Sequence, residues 1–220
     1  MKREGVCAQI KEIGILPSVR VSSRELARFA AETLYTGGIP IVEITMTIPG
    51  ALSIIGDLAN RYGDMVVGAG TVLDDETARR CVDAGARFLT SPGFVLEVVN
   101  YAKKVDVAML TGALTPTEVI AAWKAGSDFV KIFPTGHIGG VQYLRAIRVP
   151  LPQVPFIATG GVNQTNALDY IVAGASAIGV GGELLPVEAL TFKQEKRIHE
   201  LARRFLTMVQ EGRAMRETYY

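Results

Sequence analysis

The sequence predicts a closed (β/α)8 barrel, and three observations carry that expectation. Short apolar runs rich in valine and isoleucine alternate with amphipathic segments along almost the whole chain. Repetition of strand then helix implies parallel strands joined by helical crossovers. A length of 220 residues suits eight compact units closed on themselves, an arrangement that leaves no sheet edge. The rival is an open doubly wound sheet, which predicts a Gly-x-Gly-x-x-Gly turn after the first strand. Pro17-Ser18-Val19-Arg20 stands there and holds none.

The first dozen residues are read as a short extra helix covering the barrel bottom. A strand over 13–19 then meets Ser22 and Ser23, either of which can cap a helix over 23–34 with Glu25 nearby. Gly37-Gly38 closes that helix, and the second strand runs over 39–45. A helix over 49–61 and a strand over 65–68 follow, then a helix over 75–84 ending at Ala84-Gly85. The fourth unit pairs a strand over 88–90 with a helix over 96–104. The fifth pairs 107–110 with a helix over 116–125, started by Thr115-Pro116-Thr117-Glu118 and ended by Ala125-Gly126. A strand over 129–133 stops at Pro134, and a helix over 140–148 returns the chain. Strands over 156–158 and 177–180 flank a helix over 164–173, and one long helix over 187–210 closes the chain. No linker or low-complexity stretch interrupts this series, so residues 1–220 are read as one domain.

Composition excludes several classes of function. Hydrophobic residues at 49% and charged ones at 20% describe an ordinary soluble globular chain. A net charge of +1 with no basic block or acidic tail points to neither nucleic acid nor a membrane surface. No apolar run approaches the roughly 18 residues of a membrane span, and no apolar stretch backs the first basic residues as in a signal peptide. Cys7 and Cys81 lack metal-ligand spacing and read as reduced thiols of a cytoplasmic protein. His137 and His199 are too few and too scattered for a zinc site, so no metal is expected.

Chemistry in this fold gathers where strands finish. Lys131 lies in the apolar run Phe129-Val130-Lys131-Ile132-Phe133-Pro134, where desolvation disfavours a charged ammonium. A neutral lysine is a nucleophile able to form a Schiff base with a carbonyl compound. The bland reading is a lysine that snorkels to water from a strand end. Glu43 sits likewise in Ile41-Val42-Glu43-Ile44-Thr45, poised between burial and a nearby cation, which suits proton transfer. Its bland reading is a structural ion pair with Lys131, although a buried pair is a poor stability device.

Other rim residues point to binding. Thr159-Gly160-Gly161-Val162 follows the seventh strand and Gly179-Val180-Gly181-Gly182 the eighth, the usual phosphate site of such barrels. Thr71, after Gly68-Ala69-Gly70, is either a ligand contact or a cap ahead of Asp74-Asp75. Phe133 could wall the pocket or simply pack, and His137 lies in a loop where histidines are usually bystanders.

These blocks, together with Gly14-Ile15-Leu16-Pro17 and Ser91-Pro92-Gly93, resemble the 2-keto-3-deoxy-6-phosphogluconate aldolase family, whose members often also cleave 4-hydroxy-2-oxoglutarate. The resemblance implies a (β/α)8 class I aldolase, usually trimeric, without metal or cofactor, acting on a phosphorylated keto acid and releasing pyruvate. It implies Lys131 as the Schiff-base lysine and Glu43 as the acid/base group. It also implies Thr71 at the pyruvyl carboxylate and Gly160, Gly161 and Gly182 on the phosphate-binding turns, and Pro92, Phe133 and Gly181 are expected beside them as substrate contacts.

The chain departs from the pattern in several places. Thr47 stands where the best-studied members carry an arginine for the keto-acid carboxylate, and Arg20 is the substitute expected here. Thr111-Gly112 replaces a usual Pro-Gly, and Thr135-Gly136-His137 replaces an Ala-Glu type of turn. Glu183 and Leu184 stand where serine and tryptophan are frequent. Two rival functions stay open on sequence: a phosphosugar isomerase or epimerase on the same barrel, and a non-catalytic keto-acid-binding module.

Overall fold

The computed structural model describes residues 2–219, with side chains as far as residue 216. Eight parallel strands form a closed barrel in chain order: β1 (Ile15–Val19), β2 (Ile41–Thr45), β3 (Val66–Gly70), β4 (Phe88–Thr90), β5 (Ala108–Ala113), β6 (Phe129–Ile132), β7 (Phe156–Thr159) and β8 (Ala177–Val180). Closure is made by β1 pairing with β8, Ile15 opposite Ile178. Around the strands run α1 (Arg3–Ile13), α2 (Arg24–Thr36), α3 (Ala51–Arg61), α4 (Asp75–Asp83), α5 (Leu96–Lys104), α6 (Pro116–Ala125), α7 (Gly140–Arg148), α8 (Ala167–Val172), α9 (Val187–Thr191) and α10 (Glu195–Tyr219). Strand residues are buried almost throughout, because helices cover one face and the packed barrel interior the other.

Local chemistry explains the boundaries. Ser23 caps α2 by accepting from Leu26 N–H at 3.2 Å. Thr115 and Glu118 form a reciprocal capping box at the start of α6. The backbone N–H groups of Thr115 and then Leu114 hold the Glu118 carboxyl below the usual carboxylate range. Gly38, Gly85, Gly126 and Gly174 carry positive φ just past helix ends, a conformation open to glycine at little cost.

The bottom of the barrel is closed by α1. Arg3 Nε bonds both oxygens of Asp128 at 2.8 and 3.0 Å, and Asp128 also accepts from Met109 N–H at 2.9 Å. Arg213 of α10 donates to the carbonyls of Lys11 and Glu12, the orphan acceptors at the end of α1. Both thiols belong to this packed interior and its surround. Burial pushes Cys7 and Cys81 up to about 12, Cys7 also through the Asp128 carboxylate.

Two expected helices differ in extent. The closing helix over 187–210 is broken into α9 and α10 around Lys193, which takes a φ of 49° and reaches Glu25 with its amine at 2.6 Å. No glycine or proline marks that break, so local punctuation gives no sign of it. The helix over 164–173 begins only at Ala167, because Asn163 and Asn166 bond the backbone N–H groups of Thr165 and Asn163 in a competing turn. The loop after β6 also folds into a 3-10 turn over Thr135–Ile138.

Candidate active site

Every second strand residue points to the same side, so Phe88 and Thr90 share a face of β4, as Phe129 and Lys131 do on β6. Glycines on neighbouring strands decide which side chains find room inside. A Cβ at Gly68 would fall within the Phe88 ring, and one at Gly70 would lie 2.6 Å from Cδ of Glu43. A Cβ at Gly179 would stand 2.5 Å from Oγ1 of Thr159. Small residues on β3 and β8 thus admit larger ones on β4, β2 and β7, as in the interleaved layers of a packed barrel.

The upper layer holds three polar side chains in contact. Lys131 Nζ lies 3.6 Å from Glu43 Oε2, with the two side chains 10% and 2% exposed. Thr90, fully buried, donates from Oγ1 to Glu43 Oε2 at 3.0 Å and lies 3.5 Å from Lys131 Nζ. The Phe133 ring stands 5.8 Å from the ammonium, within cation–π range.

Glu43 and Lys131 of this layer line a cavity of about 980 Å³ at the C-terminal end of the strands, with Thr90 buried beneath them. Glu43, Lys131, Phe133, Gly160, Gly161, Gly181, Gly182 and Arg20 all line it. Arg20 stands exposed on the rim. Thr47 lines the same space and is tied to that edge through hydroxyls. Thr45 Oγ1 donates to the Val19 carbonyl at 3.0 Å, so Thr47, 3.0 Å from Thr45 Oγ1, supplies the proton of their mutual bond.

Gly160 and Gly161 have positive φ, 80° and 93°. Their carbonyls accept from Gly136 N–H at 2.7 Å and Asn166 Nδ2 at 2.9 Å. A Cβ at Gly160 would sit 2.9 Å from Pro134, and one at Gly161 2.9 Å from Gly136 Cα. The loops after β6 and β7 therefore pack backbone against backbone. That packing needs glycine whether or not an anion binds there.

Three residues singled out in the sequence lie elsewhere. Thr71 takes a left-handed φ of 60° after β3 and does not line the cavity. Pro92 is not on the cavity wall; its carbonyl stands against the face of Gly112 that Lys131 shares across the β5–β6 pairing, so that a Cβ on Gly112 would collide with it. His137 is exposed in the 3-10 turn and is not on the cavity wall.

Other residues were passed over. Ser18 and Asn163 line the cavity, and Val21, Leu26, Leu185 and Leu190 give one side of it an apolar wall. Thr90 was missed too. Its one signal was a polar residue two places beyond the inward Phe88, at the end of a three-residue apolar strand. Among the described residues no cluster of histidine, cysteine and carboxylate side chains could hold a metal ion, and no helix is long and apolar enough to cross a membrane.

A lysine and a carboxylate sunk in the mouth of a (β/α)8 barrel, under a cavity sized for a small molecule, define a barrel lyase of the aldolase kind. The chain belongs to the KDPG and KHG aldolase family (2-keto-3-deoxy-6-phosphogluconate and 4-hydroxy-2-oxoglutarate), whose model matches residues 6–201. It is 34% identical to the KHG/KDPG aldolase of Escherichia coli K12 over 190 residues, 86% of this chain and 89% of that one. The KDPG aldolase of Legionella pneumophila, solved with pyruvate as a covalent carbinolamine, superposes with a TM-score of 0.83. It is 31% identical, over 89% of this chain and 95% of that one. The Zymomonas mobilis ZM4 2-keto-3-deoxy-6-phosphogluconate aldolase, solved with 3-phosphoglycerate, gives a TM-score of 0.84 at 27% identity, over 94% of this chain and 97% of that one.

Proposed function

We propose that this chain is a class I, metal-independent aldolase. It reversibly cleaves 2-keto-3-deoxy-6-phosphogluconate, or a close 2-keto-4-hydroxy acid such as 4-hydroxy-2-oxoglutarate, into pyruvate and an aldehyde. The single observation that carries the reading is the 3.6 Å approach of Lys131 Nζ to Glu43 Oε2 on the floor of an open cavity. Burying that pair costs desolvation that its attraction need not repay, so chemistry accounts for it better than stability.

Lys131 adds through its nitrogen to the C2 ketone. Glu43, directly or through water, carries two protons from that nitrogen to the ketone oxygen, which leaves as water and gives an iminium with Glu43 again a carboxylate. Glu43, directly or through water, takes the C4 hydroxyl proton. The C3–C4 electron pair then flows into the iminium nitrogen, which frees the aldehyde and leaves an enamine. Glu43 returns that proton to C3, and water hydrolyses the resulting iminium to release pyruvate and restore the lysine. Borohydride added with pyruvate should fix a pyruvyl-sized mass on Lys131. Labelling at another lysine, or none, would sink the assignment.

Arg20 fills the place left by Thr47 in this reading. Both line one cavity edge, and the guanidinium fork suits a keto-acid carboxylate. Because Arg20 stands exposed at the rim, Arg20→Ala should raise KM roughly tenfold, the scale of one hydrogen bond to a charged group. Thr47→Arg should then restore part of the loss. An unchanged KM in Arg20→Ala would leave the carboxylate to other groups.

The β7 and β8 glycine turns line the same cavity, next to β1, and support a phosphorylated aldehyde half. Cytoplasmic location and a homotrimer are proposed on the family resemblance alone. Sedimentation as a 23.6 kDa monomer at micromolar concentration would remove the trimer.

A further inference from the structure

Thr90 lies between the two groups that the aldol reading uses, on a strand that carries neither of them. It is fully buried, so no bulk water competes for its hydroxyl. A threonine hydroxyl has one proton to donate and two lone pairs to accept with. Thr90 gives its proton to Glu43 Oε2 at 3.0 Å, so towards Lys131 Nζ at 3.5 Å it is the acceptor. The amine–carboxylate separation of 3.6 Å and the amine–hydroxyl separation of 3.5 Å are both longer than a close hydrogen bond. Among these three side chains, the close hydrogen bond therefore joins Thr90 to Glu43, with the amine standing beside both. No other described residue donates a hydrogen bond to the Glu43 carboxylate.

We infer that Thr90 is a positioning residue for the Schiff-base reaction. Its O–H fixes the plane of the Glu43 carboxylate beside the Lys131 amine, towards which the hydroxyl turns a lone pair. The inference rests on the aldol reading above. If only shape mattered at this site, valine would fill it equally well, since it is β-branched and of the same size without the cost of burying a hydroxyl. A hydroxyl kept in the floor layer has its use in the bond to the carboxylate, which is stronger for being made to a charged group.

The test compares Thr90→Val with Thr90→Ser. The valine variant should lower kcat for cleavage roughly 10- to 100-fold, less than loss of the acid–base group itself. Its KM should stay within about twofold, since substrate binding is untouched. Its rate of borohydride trapping with pyruvate should fall in step. Thr90→Ser, which keeps the hydroxyl and drops the methyl group, should return kcat to within about threefold of the unsubstituted protein. If valine does not fold, Thr90→Cys gives the same contrast, since a thiol is a weak donor, and serine must then exceed cysteine. A valine variant with unchanged kcat, or a serine variant as slow as valine, would overturn the role of Thr90 while leaving Lys131 labelling in place. Absence of labelling in the unsubstituted protein would overturn both.

Discussion

Lys131→Met is expected to remove aldol cleavage altogether, on the order of 10⁴-fold or more, the scale of deleting the nucleophile of a covalent mechanism. Methionine keeps the length and much of the apolar stem of lysine, so the barrel layer stays filled while the amine is gone. The loss should appear in kcat, and raising the substrate concentration should not recover it. Mass spectrometry after borohydride and pyruvate should find no adduct on any lysine of this variant. Glu43 would then lie 2% exposed without its cation, held by Thr90 alone. Removing one partner of a buried pair costs about 3–5 kcal/mol, whereas replacing both is often neutral. The double variant Lys131→Met, Glu43→Gln should therefore melt above Lys131→Met alone. A Lys131→Met protein with measurable turnover would end the Schiff-base account and return the chain to the isomerase or binding-module readings.

Glu43→Gln is expected to leave the nucleophile in place and slow its use. Glutamine has the same volume, and its amide oxygen can still accept the Thr90 proton, so the fold and the cavity should persist. What disappears is a carboxylate able to exchange protons. kcat should fall by about 10²–10⁴, the usual contribution of one positioned general acid–base group, with a much smaller change in KM. Exchange of the pyruvate methyl protons with deuterated water, followed by NMR, should slow in parallel, since it needs proton transfer at the enamine carbon. Borohydride should still label Lys131, although more slowly. If exchange and cleavage both persist at the original rate, the proton carrier is another group.

How far the site could be read depended on what kind of signal each residue left. Lys131 and Glu43 were conspicuous because a charge inside an apolar strand is costly and needs a reason. Arg20 could be placed on the rim because the end of β1 could be located from the strand pattern over 13–19 before it. Thr90 could not be weighed, since a threonine at a strand end is ordinary until its neighbours are known. Gly70 reads as a tight turn in sequence, and its use as space for the Glu43 carboxylate appears only across the β2–β3 pairing. Thr71 and Pro92 were drawn in with their motifs, and neither is among the residues that line the cavity.

The sequence alone determined the eight repeated units, their order and most of their helix caps. Those depend on periodicity and punctuation within a few residues, and such local energies act wherever the segment lies. It could not locate the break between α9 and α10. There, Lys193 adopts a strained φ and its amine reaches Glu25, which lies 168 residues away. Tertiary structure alone decided that Glu43, Thr90 and Lys131 touch, across 47 and 41 residues of intervening chain. Closing the barrel brings β2, β4 and β6 to one axis, and glycines on the strands between them leave the interior space in which the three side chains meet.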